Sequence, residues 1–91
     1  MIVSFKCRDT QSLFAGSPVK RFVNIRLVAE RKLQMLHRAV WLDDLRVPPQ
    51  NRLEKPKGDR KDRWCIRIND QWRICLFENG DASEVEIVDY H

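Results

Sequence analysis

A chain of 91 residues allows one hydrophobic core and excludes a second lobe or an enclosed cofactor chamber, so its chemistry is expected on an open surface. Hydrophobic residues make up 43% and charged residues 33%, a globular balance, and no apolar run is long enough to span a bilayer or act as a signal peptide. Residues 1–91 are therefore expected to form a single domain in the cytoplasm, with no membrane partner. Cys7, Cys65 and Cys75 are an odd number without zinc-knuckle spacing, and are expected as reduced thiols with no structural metal.

The net charge of +4 conceals a polarity. Residues 20–38 carry Lys20, Arg21, Arg26, Arg31, Lys32 and Arg38 against Glu30 alone, for +5; residues 46–63 carry +4; residues 78–91 carry five acids and no Lys or Arg, for −5. Any one of these runs can be a solvated face, but two basic segments in so small a domain favour a polyanionic partner.

Ile2 to Phe5 reads as a first strand, followed by a short helix that Asp9 or Thr10 can cap and Gly16 can end. Ser17-Pro18 is the expected start of a second helix, whose apolar stripe is Phe22, Ile25, Ala29, Leu33, Leu36 and Val40. Asp43-Asp44 and Pro48-Pro49 stop it, and the basic segment from Leu45 to Asp62 reads as a long ordered loop.

Three strands follow, with Trp64, Ile66 and Ile68, then Trp72, Ile74 and Leu76, then Val85 and Ile87 on one face. A three-residue loop, Asn69-Asp70-Gln71, keeps the first two in register and sets Arg67 across from Arg73 and Cys65 across from Cys75. A two-residue turn at Asn79-Gly80 pairs Ile74 with Val85 and Trp72 with Ile87, which places Glu86 across from Arg73. Like charges directly opposed destabilise a sheet, so either Glu86 neutralises Arg67 and Arg73 or the face is kept positive for an anion. Tyr90 shares that face by parity, with Asp89 and His91 at the strand's end.

Metal-free cleavage of RNA needs a base for the 2′-hydroxyl, cations for the phosphorane and an acid for the departing 5′-oxygen. His91 has an imidazole whose unperturbed pKa of about 6.5 suits proton exchange, whereas His37 lies beside core positions and reads as structural. Lys57, between Pro56 and Gly58, projects from a constrained turn; it is either a phosphate ligand or a solvated lysine. Arg73 can hold two phosphate oxygens, Tyr90 can stack on a base, and Asp89 can orient His91 or be the base itself. Glu84, Glu86 and Asp89 are a weak magnesium signal, and no metal or cofactor is expected.

The segments Met1-Ile-Val-Ser-Phe5, Lys57-Gly58-Asp59-Arg60, Ile66 to Ile74 and Val85-Glu-Ile-Val-Asp-Tyr-His91 together resemble the HigB toxins of the RelE/ParE superfamily of toxin–antitoxin systems. The resemblance covers nearly the whole chain. It implies an α+β fold in the order β-α-α-β-β-β, with two N-terminal helices packed on a small, mainly antiparallel curved sheet. It also implies an enzyme, a ribosome-dependent endoribonuclease that cleaves mRNA in the A site. Its functional positions fall on Lys57, Arg73, Asp89, Tyr90 and His91, the residues reached from chemistry, with Glu54, Arg60 and Arg67 as substrate-binding positions. Glu54 stands where some relatives have a histidine, and its carboxylate is a further candidate for the base beside His91 and Asp89. The implied partners are the 70S ribosome with its mRNA and a helix-turn-helix antitoxin of the HigA kind, in a two-to-two toxin–antitoxin assembly. The rival implied function is a ParE-like inhibitor of DNA gyrase that cuts no RNA, against which the Asp89-Tyr90-His91 ending argues.

Overall fold

Two apolar surfaces dictate the architecture of the computed structural model, which describes residues 1–55 and 63–89. One is a sheet face of Ile66, Ile68, Ile74, Leu76, Val85 and Ile87; the other is the stripe Phe22, Ile25, Ala29, Leu33 and Leu36, and all of these are buried. Burying each large aliphatic side chain is worth about 1.5–3 kcal/mol, so the two surfaces close on each other. Helices α1 (Arg8–Phe14) and α2 (Arg26–Arg38) precede an antiparallel sheet ordered β1 (Trp64–Arg67), β2 (Trp72–Asn79), β3 (Asp81–Asp89). This is the expected α+β fold.

The N-terminus departs from expectation. Ile2 to Phe5 forms two isolated parallel bridges to β3, Ile2 with Ala82 and Phe5 with Val85, in place of a full strand. The Val3 and Lys6 N–H groups donate to the Ala82 and Val85 carbonyls at 2.8 and 3.0 Å. Thr10 continues the cover, its Oγ1 accepting the Ile87 N–H at 3.0 Å. Thus the outer edge of β3 is protected. Thr10 is consequently buried inside α1 and caps nothing; the cap position is Cys7, without a side-chain cap bond. Gly16 follows α1 with φ +93°, as expected of a helix-ending glycine.

Ser17 and Pro18 do not open α2. The chain instead passes through a 3-10 turn, Lys20–Phe22, and α2 starts at Arg26. Val19, Val23 and Ile25 are β-branched and Asn24 competes for backbone bonds, so this stretch resists regular helix while its turn still buries Phe22 and Ile25. At the other end Ala39 is extended, with ψ 134°, so Val40 leaves the stripe and is exposed. The expected long loop contains two further 3-10 turns, Leu42–Arg46 and Pro49–Asn51, with a cis peptide at Val47-Pro48 between them. Buried Asn51 ties this segment to α2, accepting from Lys32 Nζ and donating to the Leu45 carbonyl at 3.0 Å.

The first hairpin has the expected register, Arg67 with Arg73, Ile66 with Ile74 and Cys65 with Cys75. The second does not. Asn79 pairs with Asp81 around Gly80, and beyond a bulge Ile74 pairs with Ile87, Arg73 with Val88 and Trp72 with Asp89. Ala82 and Val85 are three residues apart and both buried, a spacing that strict alternation forbids. An extra residue resolves this, Glu84 and Val85 together lying opposite Leu76, with Glu84 at φ +48°. The shift leaves Ile74, Leu76, Val85 and Ile87 facing the core but moves Glu86 opposite Cys75.

Two outcomes follow for stability. A left-handed conformation costs an L-residue about 1 kcal/mol that glycine does not incur, so Glu84→Gly should exceed Glu84→Ala in stability by about that amount, read from urea midpoints. Equal midpoints would contradict the bulge. The second concerns Lys32, whose pKa burial lowers below its ordinary 10.5, helped by the charges of Arg31 and Arg67. The folded state then binds fewer protons than the unfolded state in the alkaline window below 10.5, so stability should rise with pH through that window. Lys32→Met should flatten the rise relative to wild type in urea titrations at successive pH.

Candidate active site

The sheet face turned away from the helices is built by pairing alone. Cys65 exchanges backbone hydrogen bonds with Glu54 at 2.8 and 3.0 Å, which adds Glu54 beside β1. Directly opposed residues project to the same side, so Glu54, Arg67 and Arg73 share one face with Cys65 and Cys75. Asp89, opposite Trp72 at the end of β3, has the other parity; its exposed carboxylate accepts Gln71 Nε2 at 3.1 Å and so borders the first hairpin. Lys57, Arg60, Tyr90 and His91 lie outside the described residues.

Asn69 shapes that hairpin. Its Oδ1 accepts the N–H groups of Gln71 and Trp72 at 2.9 and 2.7 Å, a side-chain turn that asparagine favours. Its carbonyl accepts from Arg73 Nη1, which also reaches the Trp72 carbonyl at 3.1 Å. Arg67 Nη2 donates to the Asp70 carboxylate, while Arg67 Nε is buried with no partner. The Asp70 carboxyl is held below the usual carboxylate range by the hydrogen bond from Arg67 and its charge, with Arg52 and Arg73 adding to the effect. A fully exposed acid is thus the meeting point of three guanidinium fields. An anion brought to this rim meets the same fields, and planar guanidinium forks match phosphate oxygens.

Glu86 does not neutralise the arginine pair. It accepts from Arg63 and lies 3.8 Å from Lys6 Nζ. Arg63 is 4% exposed; it also donates to the Glu84 carbonyl at 2.6 Å and the Cys75 carbonyl at 3.3 Å, and stacks 5.1 Å from the Phe77 ring centroid. It clamps the bulge across all three strands. Sequence patterning missed this residue, as it missed Arg52 and Lys32, because each acts through a tertiary neighbour that no spacing rule encodes. The only signals were the basic counts of the 46–63 segment for Arg52 and Arg63 and of the 20–38 segment for Lys32.

The expectation of reduced cysteines is also corrected, since Cys65 and Cys75 form a disulfide and only Cys7 is free. The Cys65 N–H and C=O both point to Glu54, making Cys65 and Cys75 a pair without hydrogen bonds between them, the kind in which strands approach most closely. Their Cα atoms are 4.1 Å apart, so the compartment argument yields to geometry. His37 is structural as expected, Nδ1 accepting the Ile2 N–H at 3.2 Å and the ring meeting Phe14 edge-on at 5.3 Å. Among the described residues no three His, Cys, Asp or Glu side chains gather to hold a metal, and no helix is long and apolar enough to cross a membrane.

Residues 16–91 match the family described as the RelE-like toxin of type II toxin-antitoxin system HigB. The chain is 35% identical over 77 residues to Toxin HigB-1 of Vibrio cholerae serotype O1, covering 81% of this chain and 80% of that protein. It is 33% identical over 97 aligned positions to Endoribonuclease HigB of Proteus vulgaris, covering 100% of both. The chain therefore belongs to the HigB family of RelE-like toxins of type II toxin–antitoxin systems, a full-length homologue of an endoribonuclease, and a toxin of this type has a cognate antitoxin.

Proposed function

We propose that this toxin is a ribosome-dependent endoribonuclease that cuts mRNA in the A site without a metal ion. The observation that carries the reading is the pairing of Arg67 with Arg73 on the sheet face that Glu54 shares, with Asp89 at the end of β3 bordering the same hairpin and leading in sequence to Tyr90 and His91. In the proposed reaction a base removes the 2′-hydroxyl proton, the 2′-oxygen forms its bond to phosphorus, and the bond from phosphorus to the 5′-oxygen breaks. An acid then protonates the 5′-oxygen, leaving a 2′,3′-cyclic phosphate and a 5′-hydroxyl. His91 and Asp89 exchange the protons, Arg73 and Lys57 stabilise the phosphorane, and Tyr90 stacks on the exposed base. Arg60 and Arg67 hold neighbouring phosphates, and Glu54 is a second carboxylate within the same surface. The setting is the cytoplasm. The cognate antitoxin is a helix-turn-helix protein that represses the shared operon in a two-to-two complex.

An open rim with few acid and base groups depends on the ribosome to position its substrate, so free RNA should be cut poorly. Primer extension on mRNA translated in vitro should show cleavage that His91→Ala or Arg73→Ala lowers by roughly a hundredfold or more. Growth arrest with intact mRNA and altered DNA supercoiling would contradict the proposal. The exposed cations of α2 should contact ribosomal RNA, so charge reversal at Arg26 and Arg31 should lower ribosome affinity and steepen its loss with salt relative to neutral substitutions. Unchanged ribosome binding would remove α2 from that interface.

A further inference from the structure

Where α2 ends, the chain turns an apolar pair outward: Val40 is 69% and Trp41 73% exposed. They are held in place, because the Asp44 carboxylate accepts both their N–H groups at 3.0 Å. Met1, also exposed, lines the same surface. Single exposed apolar residues are ordinary, but an exposed tryptophan on a fixed backbone beside a groove is the composition of an interface centre.

Such a groove, shallow and open with a cavity volume of about 20 Å³, lies between the end of α2 and the tip of the β2–β3 hairpin. Leu36, Leu45, Leu76 and Ala82, all buried, contribute its apolar lining, with Trp41 beside them. Glu78 and Asp81 also line it, and Asp43 is exposed in the turn that follows Trp41. At about 3.3 Å per residue, Gly80 is roughly 23 Å along the strand from Arg73. The two ends of β2 thus differ in kind: arginines at one, an acid-rimmed apolar groove at the other.

We propose that this groove seats a segment of the cognate antitoxin in which one apolar side chain is flanked by Lys or Arg. Charge selects the occupant. The Met1 amino group lies 3.5 Å from Asp81, so Glu78 leaves the rim net negative, which repels a phosphate backbone and attracts a basic peptide; complementary charge across an interface steers and orients association. The other exposed apolar stripe, Val23 and Leu27, lies among Arg21, Arg26 and Arg31 and suits an acidic surface. Membership of a type II system supplies a protein partner for the toxin, so the inference rests on the family and not on the nuclease reading.

The test uses the full-length toxin and its antitoxin purified from the co-expressed complex, with affinities measured by titration calorimetry. Trp41→Ala should weaken binding by at least about thirtyfold, the mark of a hot-spot residue, and Glu78→Lys with Asp81→Lys should weaken it by about tenfold, more so at low salt. Leu27→Ala should leave affinity unchanged. All three variants should retain full toxicity in cells lacking antitoxin, and Trp41→Ala and Leu27→Ala should keep the wild-type melting temperature because both side chains are solvent-exposed. Wild-type affinity in Trp41→Ala, or loss of affinity in Leu27→Ala instead, would overturn the proposal. So would a toxin homodimer, seen by sedimentation, that Trp41→Ala dissolves.

Discussion

The pairing of β1 with β2 around Asn69 is the constraint on which the molecule depends. Strand side chains alternate, so a slip of β1 by one residue would drive Arg67 into the core and turn Ile66 out to water. Asn69 prevents the slip by accepting two backbone N–H groups at the turn, and its carbonyl then orients Arg73. One asparagine therefore links the register that buries the sheet's apolar face to the placement of the cations on the open one.

A second constraint acts through β3. Its outer edge must be paired or covered, and the N-terminal bridges together with Thr10 do this at Ala82, Val85 and Ile87. Holding both Ala82 and Val85 inward demands the bulge at Glu84, and the bulge moves Glu86 away from the arginine pair to Arg63. Glu86 therefore leaves the arginine pair to the exposed Asp70, which pairs with Arg67. Along β2 this yields a gradient, from guanidinium groups at Arg73 to carboxylates at Glu78 and Asp81. Such polarity suits a protein that must meet a polyanion and a protein partner at different places.

Much of this was legible in the residues. Alternation fixed which strand residues face the core, and the three-residue loop at Asn69 followed from keeping Ile68 with Trp72. The arginine pair then needed only parity, whereas Glu54 joins that face through a backbone bridge to Cys65 inside a segment that reads as loop. Several features were not legible. A bulge preserves alternation on both sides of itself, so the pattern of Val85 and Ile87 is the same with or without Glu84 in a left-handed conformation. The end of α2 was misjudged because Val40 fits the helical period, whereas Asp44, four residues on, captures its N–H and turns the backbone outward. Arg63, Arg52 and Lys32 gain their surroundings from contacts distant in sequence, and the cysteine pair was judged by compartment when its register was already in hand.

The reaction assigned to the arginine rim is tested most directly by the chemistry of the cut ends. Ribosome complexes programmed with a short mRNA and treated with the toxin in excess chelator should release a 5′ fragment whose mass carries a 2′,3′-cyclic phosphate, and a 3′ fragment beginning with a free 5′-hydroxyl. Fragments ending in a 3′-hydroxyl and beginning with a 5′-phosphate, or cleavage that the chelator abolishes while the ribosomes remain intact, would contradict attack by the 2′-hydroxyl at a metal-free site.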